Sequence, residues 1–171
     1  MFGIGGGYHL LGQAVTGLDG ERVQGLGLLP IETRLTGEQT SRQSAARFLG
    51  ASGELGALAE LGGVEFAGYA IGAAEVTLRG DAAPLVQLGD SGVDGCYLGN
   101  VYGLSLHGCL DGAAVRDALL AALYRLKGKA APTGSAAFDL AEYKREQFDK
   151  LADGVRASLD MELVYRILNG S

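Results

Sequence analysis

An α/β domain, with a mixed sheet, flanking helices and a helical C-terminus, is what this 171-residue sequence predicts. Three observations carry that expectation. The first twelve residues, Met1-Phe2-Gly3-Ile4-Gly5-Gly6-Gly7-Tyr8-His9-Leu10-Leu11-Gly12, read as the end of a buried strand, a tight glycine turn and the start of a helix. Residues 64–106 alternate short strand-like runs with Gly, Asp and Ser turns. From Ala113 onward, apolar residues recur at helical spacing instead.

Taken in order, Tyr8 to Val15 is expected as a short helix with Leu10, Leu11, Ala14 and Val15 available to one face, broken by Thr16 to Gly20. Val23 to Pro30 is apolar and glycine-rich, and Pro30 argues against a regular central strand there. Ile31 to Thr36 alternates as a strand should, while Ser44 to Leu49 and Glu54 to Leu61 each read as a turn or two of helix. Strands are then expected at Val64–Ile71, Ala74–Leu78, Leu85–Leu88, Gly95–Leu98 and Asn100–Leu106, in mainly antiparallel or mixed pairing. Ala113 to Leu126 places Val115, Leu119, Leu120, Leu123 and Leu126 on one side of a helix that Lys127-Gly128 stops. Leu140 to Leu159 continues helically despite Gly154. Asp160 is suited to cap a last helix that buries Leu163, Val164, Ile167 and Leu168 and ends at Gly170. The expected organisation is one domain over 1–171: an α/β part over 1–128, a loop over 129–137 and C-terminal helices over 138–171.

Composition narrows the function. The hydrophobic share of 47% fits a packed core, and the net charge of −6, with no Lys/Arg run, argues against nucleic acid as a partner. The 29 glycines follow no period, so they indicate turns and close backbone approaches rather than a fibrous repeat. Two cysteines, Cys96 and Cys109, make no disulfide framework. Met1-Phe2 runs into glycines without the charged start of a signal peptide, and no stretch has the ~18 apolar residues of a membrane span. A cytoplasmic, reduced protein that binds no membrane is the expectation.

The strand, glycine turn and helix at the N-terminus have the shape of a nucleophile elbow, which holds one residue on a sharp turn with its side chain exposed. Gly5 stands at the tip and has no side chain to expose. Nucleotide readings of the same glycines fail. A dinucleotide fingerprint starting at Gly3 needs glycine at 8, where Tyr8 stands, and the one Gly-Lys pair, Gly128-Lys129, is followed by Ala130 rather than Ser or Thr. A tight packing turn remains.

His107, at a strand end before Gly108, could serve as a general base with room for substrate beside it, although a lone histidine is more often structural. Cys109 would share a face with His107 if the strand continued, making a thiol–base pair, although a buried cysteine without chemistry is the commoner case. His9, Cys96, His107 and Cys109 lack the paired close spacings of a zinc site, so no metal is expected, and no cofactor motif is present.

Five segments, in order, resemble the glutamine amidotransferase domain of cobyric acid synthase. Gly3 to Gly12 looks like that family's Gly-Ile-Cys-Gly-Gly-Tyr-Gln-Met-Leu-Gly nucleophile segment. Val23 to Pro30 with Glu32-Thr33 is similar to its next signature. Gly68-Tyr69-Ala70-Ile71-Gly72 falls where the family has Gly-Tyr-Glu-Ile-His. Tyr102 to Gly108 matches its Gly-Thr-Tyr-Leu-His-Gly. Gln147 to Asp153, with Leu159-Asp160-Met161, resembles its C-terminal helices, which favours cobyric acid synthase over the related cobyrinic acid diamide synthases.

The resemblance implies a partial class I glutamine amidotransferase domain, flavodoxin-like in fold. It implies a role in cobalamin biosynthesis, where glutamine and ATP serve to amidate carboxylates of the corrin ring. Such domains hydrolyse glutamine with a Cys–His pair and pass ammonia to an ATP-dependent synthetase domain. The family histidine carries over to His107, and the backbone N–H of Gly6 could still face an oxyanion. The family nucleophile carries over to Gly5, where the thiol is missing. Ala70 and Gly72 replace two further polar family residues. The reading is therefore a glutaminase-inactive pseudoenzyme with a structural or regulatory role. Two alternatives stay open: an active amidotransferase using Cys109 with His107, or an accessory subunit of a synthetase that uses free ammonia. Met1 falls just before the elbow, so a domain truncated of its first strands is expected, whose bare sheet edge a protein partner or a second copy would cover.

Overall fold

The computed structural model describes residues 1–50, 55–89, 92–131 and 140–170, and divides into two compact units, Met1–Thr133 and Gly134–Ser171. In the first unit, eight strands form one sheet among the described residues. They are β1 (Phe2–Ile4), β2 (Ala14–Thr16), β3 (Arg22–Gln24), β4 (Ile31–Phe48), β5 (Glu65–Leu78), β6 (Ala83–Leu88), β7 (Val93–Leu98) and β8 (Val101–Leu104). The order across the sheet is β1-β8-β7-β6-β4-β2-β3, with β5 also paired to β4. Pairing is parallel between β1 and β8 and between β2 and β4, and antiparallel elsewhere. The expected mixed sheet is present.

Two apolar clusters lie against this sheet. The larger holds Phe48, Phe66, Leu85, Tyr102, Leu104 and Leu106, together with Val115 and Ala122 of helix α2 (Ala113–Leu126). The smaller holds Leu29, Ile31 and Cys96, together with Tyr8 and Leu11 of helix α1 (Gly6–Leu11). Neighbouring residues of β7 and β8 divide between them, Tyr97 and Tyr102 to the first and Cys96 and Val101 to the second. Successive side chains of a strand point to opposite faces, so the sheet separates α2 from α1. These are the flanking helices the sequence predicts.

Several expectations are corrected. The helix expected over Tyr8–Val15 stops at Leu11, and Ala14–Thr16 is a strand. Gly12 lies so close to Ile31 that a Cβ there would be 2.7 Å from its Cγ1, and the Gln13 N–H is drawn to the Ile31 carbonyl at 2.8 Å. The helical turn expected over Ser44–Leu49 is instead the end of β4, an 18-residue strand. There Ala46 lies between Phe66 on β5 and Leu88 on β6, and pairing on both sides overrides the helical preference of Ala45-Ala46-Arg47. The two strands expected between Val64 and Leu78 are one, β5, with a register shift opposite Leu35–Thr40. The strand expected through Leu106 ends at Leu104. Residues 56–61 form a short 3-10 helix, as a helical turn was expected, while Glu54 lies outside the described residues.

Helix α2 has the expected limits but a different buried stripe. Val115, Ala118, Leu119 and Ala122, at i, i+3, i+4 and i+7, face the core, while Leu120, Leu123 and Leu126 stay exposed. Arg125 extends from its last turn to the Glu60 carboxylate and the Ala57 carbonyl, joining α2 to the 3-10 helix.

The C-terminal unit contains α3 (Leu140–Ser158) and α4 (Met161–Leu168). Asp160 caps α4 as expected, its carboxylate accepting the Leu163 N–H at 3.0 Å. Leu163, Ile167 and Leu168 are exposed rather than buried, because two helices by themselves enclose too little volume for a core. The loop expected over 129–137 falls mostly on 132–139, outside the described residues.

Candidate functional site

Two loops at the ends of adjacent parallel strands make the site. The β1–β8 register sets Ile4 opposite Leu104, and the Gly5 N–H donates to the Leu104 carbonyl at 2.9 Å. This places the elbow beside the segment that runs from Ser105 to His107. That segment is held by Asp94 of β7, whose carboxylate Oδ2 accepts the N–H groups of Ser105 at 2.8 Å and Leu106 at 3.0 Å. His107 then pairs through its backbone with Tyr69 of β5, whose ring stacks on the imidazole with centroids 5.8 Å apart.

At Gly5 the backbone takes φ 55° and ψ −120°, a conformation that costs a side-chain-bearing residue about 1–3 kcal/mol. A Cβ built on Gly5 would lie 2.6 Å from both Cε1 and Nε2 of His107. The imidazole edge therefore occupies the space that the first atom of an elbow side chain would take. Gly6 and Gly7 follow on the exposed start of α1.

Cys109 is not part of this constellation as a reactive group. Past His107 the chain turns, with the Asp111 N–H donating to the Gly108 carbonyl at 2.9 Å, so strand alternation no longer governs Cys109. Its side chain is 0% exposed in the larger core cluster, and burial pushes its thiol up to about 11. Nearly all of it is protonated at neutral pH, the poor state for a nucleophile. Cys96 is buried in the other cluster, its sulfur accepting the Tyr8 hydroxyl at 3.6 Å; burial raises both groups above their ordinary values. Among the described residues, no three His, Cys, Asp or Glu side chains converge as a metal cage.

His9, one turn along α1, offers the sequence only a weak match to a metal ligand. Its Nδ1 lies 3.2 Å from the hydroxyl of the buried Thr33 on β4, tying α1 to the sheet. Burial holds its imidazole below the ordinary 6.5; the Asp94 carboxylate opposes this and His107 adds to it. The unfolded chain therefore takes up a proton more readily than the folded one. Stability from this group is full above 6.5 and is lost as pH falls through the lower folded value. Urea midpoints are expected to drop on acidification from neutral pH through this window, with a smaller drop in His9→Gln; equal drops in both would count against it.

Asp94 and Tyr69 carried no signal of their own in the sequence, Tyr69 appearing only within the Gly68–Gly72 segment. Their roles come from cross-strand register.

Residues 1–115 match the CobB/CobQ-like glutamine amidotransferase domain. The chain belongs to that family. It is 38% identical to a cobyric acid synthase of Bacteroides fragilis over 98% of this chain and 32% of the relative. A cobyric acid synthase of Parabacteroides distasonis is 37% identical over 96% of this chain and 32% of its own length. One from Photorhabdus laumondii is also 37% identical, over 98% and 34%. The chain thus spans about a third of the length of the curated relatives it matches. Within the amidotransferase family the mixed sheet with helices on both faces is the class I, flavodoxin-like arrangement. No helix among the described residues is long and apolar enough to cross a membrane.

Proposed function

We propose that this amidotransferase domain belongs to cobalamin biosynthesis or a related tetrapyrrole-like pathway, releases no ammonia from glutamine itself, and works through a protein partner. The observation that carries the reading is the glycine at the strained elbow, with the His107 imidazole lying in the space of the missing side chain. In a thiol-dependent glutaminase the thiolate adds to the carboxamide carbon, ammonia leaves, and water then cleaves the thioester. Gly5 offers no atom for the first bond, and the buried Cys109 thiol is a poor substitute.

The partner this reading calls for is an ATP-dependent synthetase, which the far greater length of the cobyric acid synthase relatives leaves room for. Among the described residues β1 ends the sheet order, and we place the synthetase, or a second copy of the chain, against that edge. Such a partner would use free ammonia.

Incubation of the purified chain with glutamine is expected to yield no ammonia and, with a thiol-reactive glutamine analogue, no adduct. Ammonia release that His107→Ala abolishes would overturn the reading, and an adduct on Cys109 would favour an active enzyme.

A further inference from the structure

We propose that Tyr69 is the positioning residue of His107: its ring sets the plane of the imidazole and shields one face, presenting the Nε2–Cε1 edge to position 5. This rests on reading Gly5 and His107 as the elbow and histidine of the site.

The geometry is built from backbone outward. The His107 N–H donates to the Tyr69 carbonyl at 2.9 Å, and the Tyr69 N–H donates to the His107 carbonyl at 3.1 Å. Two residues that exchange both bonds form a directly opposed antiparallel pair, with their side chains on the same side. Their rings lie within 16° of parallel. The residues beside the pair are those that such closeness demands. A Cβ on Gly68 would come within 2.9 Å of the His107 carbonyl oxygen. Gly108 takes φ +79°, and a Cβ there would lie 3.0 Å from Cε1 of the Tyr69 ring. A side chain at 68 would press on the His107 backbone, and one at 108 on the Tyr69 ring.

Packing alone does not account for the arrangement. Tyr69 is 40% exposed and belongs to neither core cluster. Its ring instead lies alongside and nearly parallel to an imidazole whose edge is already against Gly5, so rotation about the histidine side-chain bonds is opposed from two directions. The stack uses the ring and not the hydroxyl, so phenylalanine should replace tyrosine.

The chain has two histidines, so His9 serves as an internal reference for the reactivity of His107. Carbethoxylation by diethyl pyrocarbonate, followed residue by residue by mass spectrometry, reads the exposure and basicity of each imidazole. In Tyr69→Leu, which keeps an apolar strand residue but no flat ring, the His107-to-His9 rate ratio is expected to rise about two- to tenfold, the range of an aromatic pair's coupling. Tyr69→Phe is expected to restore the wild-type ratio. An unchanged ratio in Tyr69→Leu, or an equal rise in Tyr69→Phe, would overturn the proposal. A second measurement needs no variant. In the wild-type chain, nuclear Overhauser contacts between the Tyr69 ring and the His107 imidazole are expected at neutral pH, and their absence would equally overturn it. Neither readout uses glutaminase activity, so failure here would leave the inactivity of Gly5 standing, and ammonia release would leave the role of Tyr69 standing.

Discussion

Gly5→Ala is expected to lower the stability of the domain by about 1–3 kcal/mol, the cost of placing a side chain in a conformation that suits glycine. The same Cβ would contact the His107 imidazole at 2.6 Å, so the ring must swing away from the elbow and slide on Tyr69. The loss is read from urea midpoints, and an unchanged midpoint would mean that the elbow is not strained. Gly5→Cys should carry the same destabilisation and add a thiol in contact with an imidazole, the arrangement that raises thiolate content. The introduced thiol should therefore be alkylated by iodoacetamide about tenfold faster or more than the buried Cys96 and Cys109. Labelling no faster than at those two would show that the site cannot hold a reactive nucleophile. The paired outcome separates two grounds for the proposed inactivity, a missing atom and a site that has lost its shape.

Phe48→Ala should have the larger effect on folding. Phe48 is 1% exposed, its ring lies 5.1 Å from that of Phe66, and its backbone is bonded to Val64 and Gly63 at the end of β4. Removing a buried phenylalanine costs about 3–5 kcal/mol, a large share of the ~5–15 kcal/mol that holds a typical domain folded. The thermal midpoint is expected to fall by about 10 °C or more. A fall of only a degree or two would indicate that the long β4–β5 ladder, and with it Tyr69 on β5, is not coupled to the core.

Phe48 also shows where sequence reading fails. Ser44 to Leu49 contains good helix formers, and a local reading makes it a turn of helix. Its strand state is decided by β5 on one side and β6 on the other, both well beyond the reach of any local pattern along the chain. Cys109 fails for a related reason. Alternation would have set it beside His107, but the chain leaves the sheet at Leu104 and turns at Gly108, sending the thiol into the core. The C-terminal helices and the limits of α2 were legible because spacing, a stop at Lys127-Gly128 and the Asp160 cap are local signals.

The sequence by itself determined the family, through ordered motifs across nearly the whole chain, and it determined that position 5 carries no nucleophile. Both are properties of residue identity and need no coordinates. Only the tertiary structure decided that the His107 imidazole lies against Gly5, that Asp94 and the Tyr69 backbone bond to its segment, and that the Cys109 thiol is buried in the core. These depend on strand register, which joins residues distant in the chain through backbone hydrogen bonds that any residue type but proline can make. No pattern of side chains encodes such a partner.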